Sequence, residues 1–339
     1  MTILHNYLSN YDKICCEVRN NLDKFYLKGD KMSVAKFATK LSAVVALTSC
    51  LFALDLPQNK VVDVEWLKAN LADKDLVLID LQEGEGYNAG HIKGAVAWKE
   101  ADFREARGEM PGFIASPTTV ERLFQKSGIK DSSAVVFYNN AKEAPDYTLS
   151  TLAVFVSEYY GLTNTAILNG GIDAWKKAGG ELSTEAVTPE KSEFKITKFN
   201  TDIVASTYQV DEAVVTNNMA LIDARNDAFY SGEKAHPKAD KGGHLEGVDG
   251  QIFIGKIAKE ADGIFYINTD KDALGEVYKG AGVDPMAPQI WYCNTGWHAS
   301  GGWFATKYIM GNDKVKNYEG SMVEYSKLSK RKVLKGDEK

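Results

Sequence analysis

The sequence has little cysteine, no surplus of positive charge and no long apolar run, and each shortage excludes something. Lysine and arginine number 40 against 46 aspartates and glutamates, a net charge of −6. That balance argues against nucleic acid as a partner. The most basic stretch, KLSKRKVLKGDEK from Lys327 onward, reads as a solvated tail over residues 331–339. The apolar stretch at residues 41–53 is too short to span a bilayer comfortably. Of the four cysteines, Cys15, Cys16 and Cys50 fall in the first 53 residues, and Cys293 alone lies beyond them. One thiol excludes an intramolecular disulfide framework for the rest of the chain. Such a thiol is either buried and inert or kept for its reactivity.

From Met32 the chain reads MSVAKFATKLSAVVALTSCLFALDLP. Lys36 and Lys40 form a basic start and a short apolar core follows, the pattern of a secretory signal. The signal is expected at residues 32–53, which implies a periplasmic protein. Cleavage after Ala53 releases it; cleavage before Cys50, at a lipobox-like LTSC, leaves a lipid on that cysteine. Membrane attachment is expected only through that lipid. Residues 1–31 are polar and charged and do not fit such a signal, so Met32 is the expected start and 1–31 a non-native or disordered extension.

What the sequence does have is repetition. LVLIDLQEGEGYNAGHIKGAVA, from Leu76, lines up with MALIDARNDAFYSGEKAHPKADKGGHLEGVDG, from Met219. Each has an apolar run ending in Asp (Asp80, Asp223), then an aromatic (Tyr87, Tyr230), then Gly-His-x-x-Gly around His91 and His244. Downstream, AVVFYNNAKEAPDYTLSTLAVFVSEYYG from Ala134 parallels PQIWYCNTGWHASGGWFATKYIMG from Pro288. Gly170 then matches Gly320, Trp175 matches Tyr325, and Asn139 falls opposite Cys293. A period of about 150 residues is a duplicated domain, not a solenoid repeat.

Each copy reads as α/β. Helical patterns are expected at 61–71, 118–127, 149–160, 173–178 and 299–310, and buried strands at 76–81, 135–138, 165–168 and 289–292. Alternation of this kind predicts a mostly parallel sheet flanked by helices on both faces. The domains are expected at 55–182 and 203–330, joined by a polar linker at 183–202.

Cys293 then sits at the carboxyl end of a parallel strand, where α/β sheets place their ligand sites. The backbone N–H groups of the turn at 294–298 and the following helix N-terminus can converge on an anion at the sulfur. Such surroundings favour a thiolate. Gly296 permits the tight curl, and Ala299 and Ser300 are small enough to start a helix close by. The Gly301-Gly302 pair weakens that helix by about 1 kcal/mol per glycine, leaving close packing or loop mobility as its reason.

The duplicated architecture, the two Gly-His-x-x-Gly segments, the Cys-x-x-Gly-x-x-Ala loop and the closing Tyr318-Glu319-Gly320-Ser321 together resemble the two-domain rhodanese sulfurtransferases, over residues 61–329. The resemblance implies two tandem rhodanese-like domains, the second catalytic and the first a degenerate copy, as Asn139 in place of cysteine agrees. It implies that Cys293 takes a sulfur from a small sulfur-containing anion, holds it as a persulfide and passes it to a thiol, a protein thiol or cyanide, with no metal or organic cofactor. Asn294, Thr295, Gly296, Trp297, His298, Ala299 and Arg225 are the implied binding residues. Asp223 and His244 support them, His91 and His244 orienting chain connections through hydrogen bonds.

Thiosulfate-specialised members often carry Arg and Lys directly after the cysteine, where this chain has Asn294 and Thr295. Many carry an Arg six residues after the second-domain Asp, where this chain has Phe229. The remaining positive charge is expected from Arg225 and from His298 if protonated. Thiosulfate, mercaptopyruvate, polysulfide and a protein persulfide all stay open as donors. The cysteine phosphatases are excluded because Ala299 stands where their phosphate-clamping Arg must be. The alternative is a periplasmic carrier that holds sulfur on Cys293 without turnover.

Overall fold

A computed structural model describes residues 54–327, 330, 332–336 and 338. The expected extension, signal segment and Cys50 lie outside the described residues.

The first domain holds a five-stranded parallel sheet in the order Val61–Val62, Thr165–Leu168, Ala134–Tyr138, Leu76–Asp80, Val96–Ala97. The second holds Gly250–Gln251, Ala220–Asp223, Gln289–Tyr292 and Val315–Asn317, again all parallel. A single bridge from Val204 to Asn317 stands where the first sheet has Val61–Val62. The two sheets therefore repeat one strand order.

Side chains alternate across each central strand, as strand geometry requires. Val135 and Phe137 enter one core cluster, and Val136 and Tyr138 another. Trp291 and Cys293 likewise separate from Ile290 and Tyr292. Both faces are covered, which is why these strands read as continuous apolar runs. The cluster holding Phe137 and Trp291 belongs to both domains at once. Within it the rings of Phe155, on helix Tyr147–Tyr159, and Trp303, on helix Trp297–Phe304, meet edge to face at 5.0 Å. Gly301 lets these helices approach closely, and Gly302 lets the second of them lie on its own sheet. A Cβ on Gly302 would lie 2.1 Å from the Trp291 ring, and one on Gly301 3.0 Å from Thr148. Close packing is therefore the reason for the glycine pair.

Three expectations need correction. The helix expected at 61–71 begins at Val64, because Asp63 accepts the Trp66 amide at 2.7 Å and caps it, while Val61–Val62 is the edge strand. The helix expected at 299–310 starts at Trp297 and continues past Phe304 as a π-helix, Ala305–Met310. The expected solvated tail is part of the domain. Val333–Leu334 pairs antiparallel with His244–Leu245, just as Leu182–Ser183 pairs with His91–Ile92.

Each domain also carries a hairpin that reaches over the other. Ala258–Ala261 with Ile264–Ile267 sends the Phe265 amide to Ala141 O at 2.8 Å in the first domain. Arg104–Arg107 with Met110–Ile114 sends the Ile114 amide to Glu319 Oε2 at 2.9 Å in the second.

Candidate active site

Cys293 follows the Gln289–Tyr292 strand, and its loop curls at once into helix Trp297–Phe304. The curl depends on Gly296, whose φ is +76° and whose Cβ, if present, would lie 2.7 Å from Glu319 Cα. The residues after Val315–Asn317 hold the loop from behind. Cys293 O accepts from Met322 N at 3.1 Å, Asn294 O from Val323 N at 3.0 Å, and Gly296 O from Asn317 Nδ2 at 3.1 Å. In a trans peptide the C=O and N–H point opposite ways. The amides of Asn294 and Thr295 therefore face away from Met322 and Val323. Those two amides, with Trp297, His298 and Ala299 from the first helical turn, donate to no acceptor among the described residues.

Gly296 is a correction to the expected ring of amides. Its N–H, and that of Cys293 itself, donate to Ser321 Oγ at 3.0 Å each. The Cys293 residue is 3% exposed. Asn294, Thr295, Trp297 and His298 around it are partly exposed.

Arg225 is 3% exposed. Its Nη2 and Nε grip Asp223 at 2.6 and 2.9 Å, and Nη2 also donates to Gly243 O at 2.7 Å. Nη1 lies 3.4 Å from Asn294 Oδ1. Burial opposes its charge, but the Asp223 carboxylate outweighs burial and holds the guanidinium above its ordinary value. Arg225 is thus a fixed cation behind the loop, most of its donors committed. His298 does not reinforce it, since burial lowers its value and favours the uncharged ring. His244 stacks on Tyr230 at 4.0 Å, with Nδ1 3.0 Å from Tyr230 O and Nε2 3.0 Å from Glu338 O. His91 repeats the arrangement with Tyr87 and Glu185 O. Both histidines therefore join chain segments. Among the described residues no group of three or more His, Cys, Asp or Glu is placed to hold a metal ion.

Sequence reasoning missed two site residues. Ser321 was visible only as part of a closing motif. Arg104, from the first-domain hairpin, donates to Thr295 O through Nη2, and its charge interacts with Cys293. No pattern near Arg104 signals this, since its partner lies 191 residues away.

The first domain shows the same loop filled in. Asn139 replaces the cysteine, and the amides of Lys142 and Glu143 donate to Asp146 Oδ2 at 2.8 and 2.9 Å. The Ala141 amide donates to Asp173 Oδ2 at 2.8 Å. Gln82 replaces Arg225 against Asp80, at 2.8 Å. Carboxylates of the chain itself thus take amides of the first-domain loop, which spans 139–146 before its helix, whereas the loop beside the thiol spans only 293–296.

A duplicated parallel α/β domain, with one thiol on the loop after the central strand of its second copy, defines a structural class. The family model for the rhodanese-like domain matches residues 63–178 and 206–328, and the chain belongs to the rhodanese family. A protein of Saccharopolyspora erythraea, named "Putative thiosulfate sulfurtransferase", is 27% identical over 280 residues, covering 80% of this chain and 94% of its own. The crystal structure of the Escherichia coli 3-mercaptopyruvate sulfurtransferase SseA aligns with a TM-score of 0.67 at 23% identity, over 77% of this chain and 98% of that one. An anaerobic ergothioneine biosynthesis enzyme of Chlorobium limicola aligns with a TM-score of 0.71 at 19% identity, over 82% and 70%.

Proposed function

We propose that this protein is a sulfurtransferase whose second domain carries sulfane sulfur on Cys293. One observation carries the reading. In the first loop Asp146 takes the amides of Lys142 and Glu143 and Asp173 that of Ala141, whereas the second leaves the amides of Asn294 and Thr295 and the first helical turn free beside Cys293. Free amides at a helix N-terminus are suited to an anion, here a persulfide. Relatives named as sulfurtransferases for thiosulfate or 3-mercaptopyruvate support the same chemistry.

In the first half-reaction the Cys293 thiolate attacks the outer sulfur of the donor. A new S–S bond forms, the donor's bond to that sulfur breaks, and sulfite leaves thiosulfate with the bonding electron pair. Mercaptopyruvate would leave as pyruvate after protonation. In the second, a thiolate or cyanide attacks the outer sulfur and Cys293 departs as thiolate. This is covalent catalysis with ping-pong kinetics. Amides preorganised around the developing charge commonly supply a few kcal/mol of the stabilisation, about 2.7–4 for one donor. In this reading residues 55–182 serve as the non-catalytic partner, and the protein works in the periplasm after removal of the residues up to and including Ala53, or of those before Cys50.

The test is steady-state assay with cyanide as acceptor and thiosulfate or 3-mercaptopyruvate as donor, alongside intact mass. A gain of one sulfur, multiple turnovers, and loss of both in Cys293→Ser support the enzyme. Stoichiometric loading without turnover marks a carrier instead. A wild-type protein that no donor loads sinks the reading. The base mass of protein from its native host reports the processed N-terminus.

A further inference from the structure

We propose that Arg104, supplied by the first domain, is a positioning residue of the Cys293 loop and, with Arg225, a source of the positive charge that the loop itself lacks. The inference rests on the sulfurtransferase reading of that loop.

The peptide between Thr295 and Gly296 runs opposite to its neighbours. Cys293 O and Asn294 O both turn back to Met322 N and Val323 N. At the next peptide it is the N–H that turns back, to Ser321 Oγ at 3.0 Å. Its carbonyl, Thr295 O, therefore faces the same side as the free amides. Left alone, that oxygen would present the negative end of a dipole beside a sulfur meant to carry negative charge. Arg104 Nη2 takes it. The guanidinium is held from the other side by Glu100 through Nη1 and by Gly112 O through Nε at 3.0 Å. Gly112 leaves the room: a Cβ there would lie 2.9 Å from Thr295 O and closer still to Arg104 Nη2. The Arg104 side chain is 4% exposed, so its charge is little screened.

The charged and titratable groups around the loop are few. Arg104, paired with Glu100, donates to Thr295 O; Arg225, paired with Asp223, reaches Asn294 Oδ1; Glu319 pairs with Arg107, and His298 lies on the loop's own helix. Two buried guanidiniums thus flank Cys293, in place of basic residues in the loop.

The experiment compares Arg104→Met, Arg104→Lys and wild type for sulfur loading, kcat and KM. Thiosulfate, a dianion, and 3-mercaptopyruvate, a monoanion at neutral pH, are the probes. Charge-assisted hydrogen bonds are worth enough that Arg104→Met is expected to lower kcat/KM for thiosulfate about 10–100-fold. The loss for 3-mercaptopyruvate is smaller, and Arg104→Lys recovers part of both. A purely structural role predicts equal losses for both donors that track the loss of thermal stability, with no recovery by lysine, and that outcome overturns the proposal. Lys177→Met, which breaks a cross-domain ion pair to Asp262, serves as the control and is expected to leave both donors unaffected. If Arg104→Met does not fold, the donor ratio of Arg104→Lys decides: a ratio equal to wild type with full kcat/KM refutes the fork's role. Loading of wild type but not Cys293→Ser, with an unchanged Arg104→Met, removes this proposal and leaves the sulfurtransferase reading standing. No loading of wild type removes both.

Discussion

Ser321 Oγ receives the amide of Cys293 and the amide of Gly296 at 3.0 Å each, and its hydroxyl donates to Tyr318 O at 2.6 Å. The hydroxyl is thereby fully satisfied, two acceptor lone pairs and one proton. Ser321 is completely buried and holds φ at +44°, uncommon for a residue with a side chain. The backbone at Cys293 is thus held by the first residue of helix Ser321–Tyr325, not by its own loop.

Ser321→Ala tests that brace. It leaves two buried N–H groups without acceptors, each costing about 1–3 kcal/mol. Chemical denaturation should show a loss of at least that size. Sulfur transfer should fall further than the unfolded fraction accounts for, because the loop loses its register. Full activity at wild-type stability would show that water replaces the hydroxyl.

The Asp223–Arg225 pair gives a second prediction. Asp223→Asn leaves a guanidinium buried with its counter-charge removed, a change that costs about 3–5 kcal/mol. Arg225→Gln should cost less, since the first domain already seats Gln82 against Asp80 in the same geometry, with the Tyr138 hydroxyl donating to the Asp80 carboxylate at 2.7 Å. Urea titration of the two variants ranks them; the reverse order refutes the equivalence of the two copies.

Gly302→Ala and Gly275→Ala should move in opposite directions. Alanine favours a helix over glycine by about 1 kcal/mol. At Gly275, on helix Lys271–Gly280, a Cβ meets nothing within 4 Å, so the gain is realised. At Gly302 it strikes the Trp291 ring at 2.1 Å, and overpacking of about 1–3 kcal/mol wins. The two melting temperatures check this.

Restoring the cysteine in the first copy should not restore a site. In Asn139→Cys on a Cys293→Ser background, Asp146 still occupies the loop amides. Intact mass after donor treatment should show no added sulfur. A gain of one sulfur would mean that free amides are not what distinguishes the second loop.

Much of this was legible in the sequence because it is local. The repeat, the buried strands and the placement of Cys293 after one of them follow from apolar runs and fixed motif spacings. Val61–Val62 reads as helix in the sequence because Val61 continues the spacing of Val64 and Leu67. Asp63, an N-cap residue in plain view, marks the true start. The π-helix at Ala305–Met310 leaves no periodic trace in six residues.

The sequence by itself determined that the chain holds two copies of one α/β domain, and that the second copy alone places a thiol at its sheet's carboxyl end. Tertiary structure decided what surrounds that thiol. Ser321 takes two loop amides, Asp223 commits most of Arg225, and Arg104 reaches Thr295 from the other domain. Strand and helix patterns depend on neighbours in the chain, whereas hydrogen bonds and charge pairs depend on which distant residues packing brings together.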